Sequence, residues 1–180
     1  MGRLQGVMSI EAYQDKVLPV QHKLYRFGLR MLGSEEESRD VVQEVLLKVW
    51  SQRQRLDEIR NAEAWCMTLC RNLCLDKLKL KYNQNASLAD GLEVHDNQAT
   101  PYQVAESNDT MDSLRAMMDH LPAMQKQVLH LRDVEGYAYK EISGLLQIEV
   151  NMVKTYLFRA RKAMRARIET SQTNNVYGAR

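Results

Sequence analysis

Glycine and proline are scarce, eight and three in 180 residues, and aromatic side chains make up only 7%. Strand-rich sandwiches and collagen-like or mucin-like chains need more turn formers, so few breakers with ten Met and many Leu, Glu, Lys and Arg favour helix. No stretch approaches about 18 consecutive apolar residues, and the N-terminus lacks a basic region leading into an apolar run that ends in small residues. The expectation is a chain that neither inserts into a membrane nor is exported. Three cysteines, an odd number, cannot make a self-contained disulfide framework, and a cytoplasmic location would keep them reduced. No Gly-rich phosphate loop, nucleophile elbow or paired His-Glu zinc motif is present, and His22, His95, His120 and His130 have no catalytic or ligand spacing. That pattern argues against an enzyme and calls for no cofactor.

The net charge of +2 conceals a division along the chain. Residues 1–81 carry 14 basic and 11 acidic groups, and residues 115–169 carry 10 basic and 6 acidic. Between them, residues 82–114 hold no Lys or Arg, only Asp90, Glu93, Asp96, Glu106, Asp109 and Asp112. Two basic blocks suggest polyanion partners, and the acidic stretch, with Asn83, Gln84, Asn85, Gly91, Asn97 and Pro101, reads as a linker unable to form a core.

Helical periodicity runs through both basic blocks. Ser9 can cap a segment in which Val17, Val20, Leu24, Phe27 and Met31 recur at three- and four-residue spacing, with Pro19 bending or interrupting it. Gly33 closes that helix, and Ser34-Glu35-Glu36-Glu37 is a capping box opening the next. There Val42, Val45, Leu46, Val49 and Trp50 share one face, and Asp40, Gln43, Glu44 and Lys48 the other. After a polar loop with Arg53, Arg55 and Arg60, Asn61 can cap a third helix to about Lys81. In the second block, Asp109 or Thr110 can cap a helix containing Leu114, Met117, Met118 and Leu121; Pro122 suits the first turn of the next, which buries Val128, Leu129 and Leu131 and breaks at Gly136. Tyr139–Leu146 and a basic helix from Val150 to about Ile168 follow on a short turn, a helix-turn-helix pattern.

In that last helix Val150, Val153, Leu157, Ala160, Met164 and Ile168 form the stripe that must pack inward. Asn151, Lys154, Thr155, Phe158, Arg159 and Lys162 are left facing out or flanking it. A helix entering the major groove reads bases from its first turns, a task Asn151, Lys154 and Thr155 can perform; Arg159, Arg161, Lys162, Arg165 and Arg167 supply a phosphate-directed field. On the third helix of the first block, Trp65, Thr68, Asn72 and Asp76 share one side, so an aromatic stands beside amide and carboxylate groups able to stack on and bond an unpaired base. Lys77, Lys79 and Lys81 would hold its backbone. Cys66, Cys70 and Cys74 recur every four residues on the apolar side and read as small buried thiols rather than metal ligands.

Taken together, Leu24–Phe27 with Arg39–Trp50, Asn61–Trp65 with Arg71–Leu78, Leu121-Pro122, Val128–Asp133, Tyr139–Ile142 and Val153–Lys162 resemble regions 2 and 4 of the extracytoplasmic-function (ECF) sigma factors of bacterial RNA polymerase, in the sigma-70 family. The resemblance implies an all-α fold of two small helical domains joined by a flexible acidic linker, the second with a helix-turn-helix: residues 9–81, a linker over 82–109, residues 110–169 and a tail over 170–180. It implies that Asp40, Gln43, Glu44 and Lys48 bind core polymerase at the β′ clamp helices, with the β subunit a further contact. Arg60, Asn61, Trp65, Asn72, Asp76 and Lys77 would melt and capture the −10 element, and Asn151, Lys154, Thr155, Arg159 and Lys162 would read the −35 element. Promoter DNA and an anti-sigma factor follow as partners, and the linker would thread the polymerase cleft toward the RNA exit path.

The chain departs from that family at three places. Relatives usually carry Ala at Ser143, Gly at Gln147 and a Ser or Thr cap at Glu149. Gln147 removes the residue best suited to positive φ in the turn, and Glu149 suits a helix N-terminus but would repel phosphate. The competing expectation is a freestanding helix-turn-helix regulator acting as a dimer on duplex DNA, with the first block as a dimerisation or effector module.

Overall fold

Pro19 lacks the amide hydrogen that would continue a helix, and the chain makes a three-residue 3₁₀ turn at Leu18–Val20 between α1 (Ile10–Lys16) and α2 (Gln21–Leu32). The structure, a computed structural model, describes residues 10–53, 59–88 and 109–177. Ser9, Arg55 and residues 89–108 of the expected linker lie outside the described residues. The described residues are helical without strands and fall into two compact units that divide at residues 94 and 95.

In the first unit Gly33 takes a left-handed φ of 68° and its N–H closes on Leu29 O at 2.9 Å, ending α2. Ser34 caps α3 (Glu35–Ser51), its Oγ accepting from the Glu37 N–H at 3.4 Å. The returning half of the expected capping box is replaced, because the Glu37 carboxylate sits 2.6 Å from Lys81 Nζ on α4. α3 packs against both α2 and α4, so its buried row is Ser38, Val41, Val42, Val45 and Val49. Leu46 and Trp50, expected on the core face, are displaced to its edge. There the Tyr13 ring meets Trp50 edge-on at 5.1 Å and Arg53 covers it at 5.0 Å.

Asn61 caps α4 (Ala62–Leu88) as expected, Oδ1 accepting from the Ala64 N–H at 2.9 Å. The helix runs on past Lys81 through the first residues of the expected linker, since Tyr82 to Leu88 contain no glycine or proline to stop it. Leu24, Phe27, Val41, Val45, Val49, Cys66, Met67, Cys70 and Cys74 close the core. Each large apolar side chain among them contributes about 1.5–3 kcal/mol on burial.

The second unit begins at α5 (Asp109–Asp119); Asp109 is its first helical residue rather than a preceding cap. Pro122 precedes α6 (Ala123–Leu129), which passes directly into five residues of π-helix, His130–Val134. That wider turn brings Glu135 back over His130, their side chains buried with Nε2 and Oε1 3.3 Å apart. Gly136, at φ 80°, turns the chain into α7 (Tyr139–Leu146), where the Ala138 N–H donates to the Glu141 carboxylate at 2.7 Å. α8 (Val150–Tyr177) extends beyond the expected end near Ile168. Val153, Leu157 and Ala160 are buried where α8 packs on α6 and α7, whose own buried side chains include Val128, Ile142, Leu145 and Leu146.

The α7–α8 turn is held by side chains at a position that favours glycine. Gln147 stands at φ 56°, ψ 45°, left-handed, and its Nε2 donates to Gly144 O at 2.6 Å. Ser143 Oγ donates to Ile148 O at 2.6 Å, while the Ile148 N–H donates to Ser143 O at 3.2 Å. Two side chains therefore fasten a turn that glycine would form without help.

Candidate nucleic-acid interface

The outer face of α3 presents Asp40, Gln43 and Glu44 to solvent, with Lys48 half-buried at 2.8 Å from Glu44. Among these polar groups stands Leu47, 68% exposed, an apolar side chain with no packing role. Such a patch, polar at its margin and apolar at its centre, has the composition of a protein contact. Asp40 also faces α4, where Lys77 Nζ lies 3.7 Å away.

On α4 the expected row is only partly free. Asn72 and Asp76 are exposed, Trp65 and Lys77 half-buried, and Thr68 Oγ1 turns back onto Ala64 O at 2.8 Å. Arg60 and Asn61 are exposed at the helix entrance, but the Asn61 side-chain carbonyl is committed to the cap, leaving its amide to donate outward. Behind this row the helix is anchored by thiols. Burial pushes Cys66 up to about 11. Cys70, hydrogen-bonded to Cys74 and buried, is raised further and touches Leu24 O at 3.6 Å. All three are free, buried thiols, and no group of three or more His, Cys, Asp or Glu among the described residues is placed to hold a metal.

The third surface is the outer face of α8. Asn151, Lys154, Phe158, Arg159 and Lys162 are exposed and Thr155 half-buried, its Oγ1 donating to Asn151 O at 2.9 Å and remaining able to accept. Phe158, 69% exposed, lies within this row. Arg161, expected in the phosphate-directed field, is instead tied to Asp133: Nε donates to Oδ2 at 3.0 Å and an Nη to Oδ1 at 2.5 Å. That paired fork holds its guanidinium above the ordinary arginine value.

Sequence periodicity found the three faces. The Asp133–Arg161 fork, the His130–Glu135 contact and the ion pairs joining α3 to α4 escaped it, because each links residues whose proximity depends on packing. An acidic residue in a basic unit, such as Asp133, was the one available signal.

Comparison with known proteins relates both units to a family. The Sigma-70 region 2 family matches residues 17–82 and Sigma-70 region 4 matches residues 111–164, together most of the chain. ECF RNA polymerase sigma factor SigL of Mycobacterium tuberculosis is 28% identical over 172 residues, spanning 94% of this chain and 97% of the relative. ECF RNA polymerase sigma factor SigW of Bacillus subtilis is 26% identical, spanning 88% and 89%. Among solved structures, the sigma factor RpoE bound to the anti-sigma factor NepR from Bartonella quintana superposes with a TM-score of 0.70 at 20% identity, covering 89% of this chain and 98% of that one. CnrH bound to the cytosolic domain of CnrY gives 0.63 at 18% identity, covering 89% of each.

Proposed function

This chain belongs to the sigma-70 family, among the ECF sigma factors of RNA polymerase, and from that membership we propose how its three surfaces divide the work of promoter recognition. It is a promoter-specificity subunit that binds core RNA polymerase, recognises −35 and −10 elements and promotes melting. Catalysis belongs to the polymerase, so the chain itself is not an enzyme and acts in the cytoplasm. An anti-sigma factor is a further partner.

The polar face of α3, with Asp40, Gln43, Glu44 and Lys48 around Leu47, docks on the β′ clamp helices, and the β subunit makes further contact. Arg60, Asn61, Trp65, Asn72, Asp76 and Lys77 take the non-duplex strand of the −10 element. A base leaving the stack is compensated by stacking on the aromatic, worth about 1–3 kcal/mol per base, and by Asn72 and Asp76 bonding its edge, while Lys77 meets the backbone. Asn151, Lys154, Thr155, Arg159 and Lys162 address the −35 duplex; a good bidentate base contact discriminates by about 1–3 kcal/mol. Residues 82–109 join the two regions, and their acidic groups suit a channel built for a polyanion.

The observation that carries the reading is the presence in one chain of an acidic helix face, an aromatic-amide-carboxylate row and a basic helix-turn-helix, in region 2 to region 4 order. Gel filtration with purified core polymerase tests it. The chain comigrates with core and does not bind a promoter duplex tightly alone; tight operator shifts without core association would contradict it and favour the freestanding regulator.

A further inference from the structure

Projected at about 100° per residue, Asn151, Phe158 and Lys162 mark the centre of the outward face of α8. Arg159 and Arg161 flank that line about 80° to either side. A helix lying in the major groove has its base-reading centre between two phosphate walls, and residues so placed are the ones that reach them. By angular position alone, the two arginines are equivalent candidates for those walls. Their surroundings differ. Arg159 is exposed, with no ion pair to it among the described residues, whereas Arg161 has its Nε and one Nη bonded to the two carboxylate oxygens of Asp133.

Asp133 is held for this contact. It lies in the π-helical stretch His130–Val134, whose wider turn rotates it off the α6 register. The stretch is fastened by the buried His130–Glu135 contact and by the Tyr137 N–H to Leu131 O at 2.9 Å. Arg132, next to Asp133, donates to Tyr137 O at 2.8 Å and lies over the Tyr139 ring at 5.0 Å. A π-helical turn costs regular hydrogen bonding and concentrates where a side chain must be aimed.

We infer that Asp133 withholds Arg161 from the DNA backbone and thereby sets the sequence-independent affinity of the second unit. Asp133 takes the Nε–Nη edge of the guanidinium and sets a carboxylate charge beside it, so a phosphate approaching Arg161 meets a neutralised pair rather than a lone cation. A phosphate that no side chain neutralises keeps its counterion and adds nothing to the salt dependence, while the bases read stay the same. The inference rests on the proposed DNA-facing role of α8.

The test uses the full chain and a random-sequence duplex of about 30 base pairs, with binding followed by fluorescence anisotropy from about 50 to 200 mM salt. Arg159→Gln should flatten the slope of log K against log salt by about one. Arg161→Gln should leave slope and affinity unchanged within about twofold. Asp133→Asn should steepen the slope by about one and raise affinity severalfold, and adding Arg161→Gln to it should restore wild-type behaviour. If Arg161→Gln flattens the slope as Arg159→Gln does, Arg161 contacts phosphate despite Asp133 and the inference is overturned. An unchanged slope for a folded Asp133→Asn protein overturns it as well. Should thermal melting show that Asp133→Asn unfolds the second unit, the Arg161→Gln arm decides alone. If Arg159→Gln also has no effect, the DNA-facing reading of α8 fails and the inference with it, a result distinct from failure of the inference only.

Discussion

The Ser143 hydroxyl donates to the Ile148 carbonyl at 2.6 Å, across the turn that joins the two helices of the helix-turn-helix. In the same turn Gln147 occupies the left-handed region, where a residue with a Cβ is disfavoured by about 1–2 kcal/mol, and recovers part of this through its bond to Gly144 O. The two side chains thus serve one turn: the Ser143 hydroxyl bridges it to Ile148 while the Gln147 amide closes it on Gly144.

Ser143→Ala should therefore destabilise the second unit by about 0.5–1.5 kcal/mol, the usual net value of one hydrogen bond. Restoring glycine in the double variant Ser143→Ala, Gln147→Gly should bring stability back toward wild type. Urea unfolding followed by circular dichroism checks both, and equal midpoints for all three proteins would show that the Ser143 bond does not support the turn.

Asn72→Ala and Asp76→Ala should impair open-complex formation while leaving core binding intact. Both side chains are exposed on the Trp65 side of α4, so truncation opens no cavity. Permanganate footprinting of holoenzyme on promoter DNA, beside a core-association assay, separates the effects; equal loss in both assays counts against a DNA role.

Leu47→Ala should weaken core association by roughly tenfold, in the range of an interface anchor of about 1–2 kcal/mol, without lowering the unfolding midpoint. An exposed leucine contributes little to the fold, so loss of stability with unchanged core affinity would assign it to packing instead.

The cysteine row predicts a pH dependence. Cys66 in the folded chain titrates near 11 against an ordinary 9.0, so between these values the unfolded state has lost a proton that the native state keeps. Stability from this thiol is fully present below pH 9 and is lost as pH rises toward 11. Cys66→Ala should flatten the fall in unfolding midpoint over that interval, and an unchanged profile would show that the thiol does not report the burial described.

Much of the fold was legible because its signals are local. Gly33, Gly136, Pro19 and Asn61 act within a turn of themselves, and the Val153, Leu157, Ala160 stripe repeats at helical spacing whatever lies beneath it. The far ends of α4 and α8 were not legible, since neither carries a breaker and charge composition at 82 suggested a boundary that helix propensity ignores. Trp50 was misplaced because its spacing fits the core, while α2 and α4 together rotate the buried face of α3 toward Val41. Arg161 was read as a free cation for a similar reason: nothing near it in sequence announces Asp133, which arrives through a π-helical turn 28 residues earlier.

The most direct measurement is in vitro transcription by core polymerase supplied with this chain and a randomised promoter library, with transcripts sequenced to recover their templates. Initiation should fall downstream of two spaced motifs, the upstream one altered by substitutions at Asn151, Lys154 and Thr155 and the downstream one by substitutions at Trp65, Asn72 and Asp76. Transcription no greater than core alone, or enrichment of one palindromic duplex site indifferent to Trp65, Asn72 and Asp76, would contradict a sigma factor built on these three surfaces.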